Sequence, residues 1–315
     1  RAGYKKGADR GAGLYRCPGW PTDMTGDLAF DVVADDPLRV GENPLWDETR
    51  GLLYWVGIYE GRLFRYDPDT GRVETVYEGN EELAAFTCQA DGSLLMVADG
   101  GTVRVWGDGE GVGDTIVSPG ELTEARFNDV VTDPDGRVFC GTKGTDDVSG
   151  RLYRLDRDGT FAALREGVKL SNGLGFSPDL ETLYYAESHE WTIHAFDYDP
   201  VTGDLSSARP FATFDEDGGF PDGLAVDADG DVWTALAYGG ELARLAPDGS
   251  ERERYETPVE FPASVAFGGD RLDELYVTTG GGQNREEYGD LAGATLRCVP
   301  GATGRAPFRS RIGLD

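Results

Sequence analysis

The chain has 315 residues, 39% of them hydrophobic, and its 58 acidic side chains against 29 basic ones give a net charge of −29. There is enough apolar material for a sizeable core, while the charge excludes a nucleic-acid partner, which needs a basic face for phosphate. No apolar run approaches the ~20 residues that span a bilayer, and carboxylates at this density with only four lysines (Lys5, Lys6, Lys143, Lys169) suit a halophilic surface, where salt screening removes self-repulsion.

In chain order, residues 1–23 come first, with five bases and two acids. They lead into no apolar targeting segment, so they read as a poorly packed basic extension on a cytoplasmic protein. Residues 24–315 read as one domain. The stretch 28–36 (LAFDVVADD) has strand character. From Leu45 onward one pattern recurs: a short strand, a D-G turn, a second strand, a Gly turn, a strand with Arg or Leu, and another D-G turn. Copies begin at Leu45, Cys88, Val130, Leu174, Leu224 and Val265, at intervals of 43, 42, 44, 50 and 41 residues. The clearest copy holds strands over 224–227, 231–236, 241–246 and 251–257, separated by turns rich in Gly and Asp. Repeats of about 40–50 residues with four strands each are the signature of propeller blades. Six copies predict an all-β, six-bladed β-propeller with four antiparallel strands per blade. The 28–36 strand is expected to complete the last blade and close the ring, which removes exposed sheet edges.

Several stretches carry no chemistry on this reading. Residues 107–114 (GDGEGVGD) are rich in glycine like a phosphate loop but lack its Lys and the helix that follows, so they read as a flexible hairpin loop. The two histidines, His189 and His194, occur without a G-x-S-x-G elbow or a His-Glu zinc motif and read as surface or strand positions. DADGD at Asp227 starts like a calcium loop, but Gly230 is in fourth place and Tyr238 in twelfth, so it is a turn. Cys17, Cys88, Cys140 and Cys298 form no C-x-x-C pair and read as reduced thiols.

The first strand of each propeller blade lines the central channel, so equivalent positions at its start ring one mouth. Two residues ahead of the blade starts lie Asn43, Phe86, Asn128, Asn172, Asp222 and Ala263. Counting five back from the turn acids Asp47, Asp91, Asp133 and Asp227 gives Glu42 in place of Asn43, and that register is preferred here. Glu42, Asn128, Asn172 and Asp222 are then four oxygen donors around one axis. Two carboxylates facing each other in a partly desolvated funnel are costly, and a divalent cation relieves the cost. All-oxygen donors favour a hard cation, calcium first, with magnesium and manganese also suited, and carboxylates accept zinc as well.

Five stretches, GENPLWDE at Gly41, ARFNDVVTDPDGRVFCGT at Ala125, LSNGLGFSPD at Leu170, FPDGLAVDADGDVW at Phe220 and FGGDRLDELYVTT at Phe267, make the chain resemble the senescence-marker-protein, gluconolactonase and regucalcin-like family of six-bladed propellers. The resemblance runs from about Val33 to Arg309. It implies Glu42, Asn172 and Asp222 as direct metal ligands, with Asp222 also the general base. It further implies Asn128 in contact with the substrate or a water, and Arg126 and Asp146 as substrate-binding residues. Gly57 departs from the resemblance, because many members carry Asp there.

The activity implied by the resemblance is hydrolysis of a sugar lactone to the aldonic acid. A bound cation suits that chemistry by polarising the carbonyl and stabilising the developing oxyanion. Two further readings share the ring: an esterase or phosphotriesterase of the same fold, and a non-enzymatic cation-binding propeller. Arg126 favours the enzymes, since a structural ion needs no guanidinium beside it. A small sugar lactone is the expected partner, with the protein a monomer or weak oligomer.

Overall fold

A computed structural model of the chain describes residues 25–26, 28–98, 101–117 and 126–314; the expected basic extension over 1–23 lies outside them. Six four-stranded antiparallel sheets follow one another along the sequence. Their innermost strands are Gly41–Asp47, Leu83–Cys88, Arg126–Thr132, Ser171–Phe176, Phe220–Val226 and Pro262–Gly268, one for each of blades 1 to 6. Each packs against the next, and the sixth against the first. The six-bladed propeller expected from the repeat is therefore the fold. The inner strands begin three to five residues ahead of the repeat starts, because the pattern registers only their apolar second halves.

Ring closure also follows the expectation. Asp31–Ala34 pairs antiparallel with Thr295–Cys298 and becomes the outer strand of blade 6. Upstream, Thr25–Gly26 pairs in parallel with the outer strand of blade 5, an addition the repeat does not announce. The expected loop at 107–114 is tighter than predicted: Val103–Gly107 and Gly111–Val117 are paired strands joined by three residues. Glycines at 109 and 111, both with φ near +80°, permit that reversal.

The core lies between blades, where large side chains from adjacent sheets interlock. Trp233 is fully buried and stacks on Tyr255 at 5.5 Å, with Phe267 of the next blade edge-on at 5.9 Å. Burying such rings contributes about 1.5–3 kcal/mol each, plus roughly 0.5–1.5 kcal/mol from their mutual geometry. Several turn acids are structural. Asp227 accepts the amides of Asp229 and Asp231 and the Trp233 indole N–H, so DADGD is a turn as expected. Cys88, Cys140 and Cys298 are buried free thiols.

The two ends of the channel differ. Beyond the last strand, residues 303–313 cross the face opposite the inner-strand starts. The Thr303 carbonyl accepts the Ala228 amide of blade 5, and the Gly304 amide donates to Leu272 of blade 6. Arg305 donates to the Ser177 carbonyl of blade 4. Arg309 pairs with Asp47 of blade 1 at 2.5 Å, Ser310 donates to Cys88 of blade 2 and Arg311 to Gly136 of blade 3. This strap touches every blade and stops the channel, and residues 305–308 form the floor of a cavity of about 170 Å³ lined by all six inner strands. Traffic to the ring must use the opposite mouth.

Asp47 is wholly buried, accepts the Thr49 amide and pairs with Arg50 and Arg309, so Arg309 fastens the strap by a charge-assisted bond worth about 1.5–3 kcal/mol. Arg309→Ala should therefore lower the urea midpoint by an amount equivalent to about 2 kcal/mol at unchanged m-value. An unmoved midpoint would show that the strap is fastened elsewhere.

Candidate active site at the channel mouth

In blades 1, 3, 4 and 5 the inner strand bulges at its start, where two residues oppose one on the second strand. The bulged pairs are 43–44, 128–129, 172–173 and 222–223. A bulge re-aims the side chain it carries, and here it turns Asn128, Asn172 and Asp222 toward the axis. The glycines after two of these donors have a packing reason. A Cβ on Gly173 would overlap the Leu224 amide and the Asp222 carbonyl, and one on Gly223 the Ser264 side chain, so neighbouring inner strands approach this closely only at glycine.

Ladder register corrects one expectation. Asn43, not Glu42, is the counterpart of Asn128, Asn172 and Asp222. Asn43 has a left-handed backbone (φ 48°), and its Oδ1 accepts the Phe86 amide at 2.6 Å, tying blade 1 to blade 2. Its carbonyl oxygen is thus spent on the fold. Glu42, one residue earlier, supplies the carboxylate instead, and its Oε2 accepts the Asn43 amide at 2.8 Å. The turn-acid count lands on Glu42 and not on Asn43 because blade 1 has one residue fewer between bulge and turn acid.

A third carboxylate, missed in the sequence, joins the first two. Asp129, beside Asn128, is buried and accepts the Val130 amide at 2.7 Å. Burial raises Glu42 to about 8, helped by the Asp129 charge and opposed by the Asn43 amide and the Ser264 hydroxyl. Burial likewise raises Asp129 to about 6. Asp222 is pushed well above the usual carboxylate range, first by burial and then by the charges of Glu42 and Asp129, with Lys143 opposing. The Asp222 Oδ1 is buried and has no hydrogen-bond partner.

The amides are oriented from behind. The Ser188 hydroxyl donates to the Pro221 carbonyl at 2.6 Å and accepts from Asn172 Nδ2 at 2.7 Å, which fixes the orientation of the Asn172 amide and leaves its Oδ1 one lone pair beyond the bond from Asn128. Asn128 Nδ2 donates to the Ser171 carbonyl at 2.9 Å and to Asn172 Oδ1. Ser188 lies on a short 3-10 turn after blade 4's second strand, where nothing in the sequence singles it out.

Arg126 stands at the mouth. Its Nη1 pairs with Glu82 at 2.6 Å, and its guanidinium lies over the Tyr59 ring, 4.8 Å from the centroid. Arg39 also lies over that ring, at 3.8 Å. An Asp at the position of Gly57 would be crowded, since a Cβ there would sit 3.0 Å from Glu60 Oε2 and 3.1 Å from Leu38, and these side chains would have to yield by a few tenths of an ångström. Asp146 is exposed on the loop between the second and third strands of blade 3, outside the buried cluster. Across the mouth, Phe220, Tyr238, Phe261 and Tyr288 form an aromatic wall, with Tyr238 stacked on Phe261 at 4.4 Å. His194 is a strand residue bonded to Glu190 at 2.9 Å, and His189 lies exposed at the mouth against Phe220.

A divalent cation fits this donor set. Among the described residues no three His, Cys, Asp or Glu side chains cluster closely enough to hold a metal by themselves, so any such site needs the amide oxygens. Glu42, Asn172 and Asp222 offer two carboxylates and one amide, and the orphaned Asp222 Oδ1 is an acceptor that the fold leaves open.

The sequence profile described as the SMP-30/Gluconolactonase/LRE-like region matches residues 40–281. The chain belongs to this family. Within it, a pentonolactonase of Haloferax volcanii is 44% identical over 291 residues, covering 90% of this chain and 98% of that one. A 6-deoxy-6-sulfogluconolactonase of Pseudomonas putida is 35% identical over 281 residues, covering 85% and 95%. The solved luciferin-regenerating enzyme superposes with a TM-score of 0.82 at 27% identity over 90% of this chain and all of that one. A calcium-binding regucalcin of Agrobacterium tumefaciens gives 0.85 at 24% identity over 92% and 99%, a likeness of fold.

Without a cation, Glu42 holds its proton up to about pH 8 in the folded protein, against 4.5 for the ordinary side chain. Its raised value favours the fold fully below about pH 4.5 and loses that effect as pH rises through about 8. The melting temperature of chelated protein should therefore fall between about pH 5 and pH 8. Glu42→Gln should flatten the decline, and added calcium should cancel it. An identical decline in the variant would place the titrating group elsewhere.

Proposed function

We propose that the protein hydrolyses a sugar lactone to the aldonic acid in a divalent-cation-dependent reaction at the channel mouth. The observation that carries this reading is the buried Asp222 carboxylate, whose Oδ1 lacks a partner and whose charge interacts with that of Glu42, beside the oriented Asn172 amide. The names of the relatives support the substrate class: one is a pentonolactonase and another a sulfogluconolactonase.

Glu42, Asn172 and Asp222 would hold the cation. When bound, it would polarise the lactone carbonyl and stabilise the charge that develops on its oxygen. Asp222 then takes a proton from the attacking water, the water oxygen bonds to the carbonyl carbon and the ring C–O bond breaks. The second proton reaches the leaving alkoxide. Calcium and magnesium acidify water less than zinc does, so the carboxylate base matters more. Arg126 and Asn128 orient the sugar, and the aromatic wall shields the site from water on the far side. Asp146, exposed on its loop, would act at the rim.

Proton release from xylono-, arabinono-, galactono- and gluconolactone in molar KCl tests the reading. Release should need the cation and fall on the order of 10²- to 10⁴-fold in Asp222→Ala. Arg126→Ala should lose turnover while still binding calcium. Cation-bound protein that releases protons no faster than the spontaneous rate would move the reading to another ester or to a cation-binding propeller.

A further inference from the structure

Lysine is scarce in this chain, and its placement is uneven. Lys5 and Lys6 lie outside the described residues, and the remaining two, Lys143 and Lys169, share the channel mouth. Lys143 ends the second strand of blade 3 as the cross-strand partner of Arg126 and bridges to Leu170 of blade 4. The Gly144 amide donates to the Lys169 carbonyl at 2.9 Å, and Asn172 follows three residues later. The charges of both lysines act on His189, and that of Lys143 reaches Asp222. Both lysines thus lie at the mouth on blades 3 and 4, while the Arg126 guanidinium reaches from blade 3 across to Glu82 and Tyr59.

Carboxylates nearby are engaged elsewhere. Glu187 accepts the amides of Lys169 and Leu170 at 2.8 and 2.9 Å. Glu190 pairs with His194 and Arg165, and Glu82 holds Arg126. Asp146 and Asp147 point into solvent from the loop after Lys143. Among the described residues, every ion pair is made by an arginine or by His194, and none by a lysine. On a chain of net charge −29, carboxylate partners are plentiful, so two neighbouring ammonium groups without one mark a local positive field. Such a field attracts an anion to the mouth, more strongly beside the half-buried Lys143 than beside the exposed Lys169. Ammonium groups hold it as point charges, without the planar match that a guanidinium demands.

We propose that Lys143 and Lys169, with Arg126, form an anion subsite at the mouth that takes an acidic group carried by the sugar: a carboxylate, sulfonate or phosphate. The sugar part of this statement rests on the lactone reading. The anion has two possible sources, since ring opening itself creates a carboxylate on the product and the lactone can bear an acidic substituent of its own.

Titration calorimetry of the calcium-loaded protein, at one fixed KCl concentration, compares an aldonate with the neutral alditol of the same carbon number. The double variant Lys143→Met/Lys169→Met should reduce the ratio of aldonate to alditol affinity on the order of tenfold or more, and the Lys143→Arg/Lys169→Arg pair should keep it. A ratio unchanged in the Met pair would mean that the ring's cation alone holds the carboxylate, and would overturn the proposal. A ratio equally lost in the Arg pair would tie the effect to local structure instead of charge, and would overturn it too. The ratio of kcat/KM for an acid-substituted lactone over a neutral one separates the sources: a fall in the Met pair assigns the anion to the substrate, and weaker aldonate inhibition alone assigns it to the product. Native protein that turns over no lactone yet prefers aldonate, with that preference lost in the Met pair, would refute the lactone reading while leaving the subsite standing.

Discussion

Six inner strands can aim their first residues at one axis only if the ring of blades is closed, and closure here is made by the chain's two ends. Asp31–Ala34 completes blade 6 from the N-terminal side, and the strap over 303–313 ties all six blades together from the C-terminal side. Each blade buries its faces only against its neighbours, so an open ring would leave two apolar faces wet and two sheet edges unpaired. The bulges, the short approach between inner strands at Gly173 and Gly223, and the focus of the ring donors all depend on that closure.

What closure produces at the mouth is electrostatically expensive. Three carboxylates, Glu42, Asp129 and Asp222, are buried together, where desolvation and mutual repulsion both favour their protonated forms. A fold selected for stability alone would place apolar side chains there, as it does in blade 2, where the ladder puts the buried Ala84 at the counterpart of Asp222. The amide chain from Pro221 through Ser188 to Asn172 spends three polar groups on fixing one oxygen. Strain of this kind, concentrated where bulges re-aim side chains, marks a functional site and not a packed core.

Charge is also divided between the mouth and the rest of the surface. Most described arginines elsewhere are engaged in ion pairs with the abundant carboxylates, several of them part of extended groups such as Arg244 with Asp227, Asp231 and Glu253. At the mouth the positive groups outnumber their described partners, and the aromatic wall faces them across the opening. Residues 305–308 line the cavity at the far end, so among the described residues the opening toward the ring lies at the inner-strand starts, where this field is strongest.

Blade number, strand count, the closing strand and the donors Asn128, Asn172 and Asp222 were legible in the sequence, because a propeller repeats one local unit and equivalent residues recur at fixed distances from its turns. Glu42 was legible through the acid at 47, although the ladder shows Asn43 in the repeat position, spent on an amide of blade 2. Asp129, Ser188, Tyr59, the strap and the pairing of Lys143 with Lys169 were not legible. Each acts across a blade boundary, through burial or through a field, and sequence spacing within one blade carries no record of what the next blade brings near. Local periodicity thus determined the architecture and its axis, while the tertiary structure alone decided which carboxylates share the buried mouth, because desolvation and charge depend on distance in space.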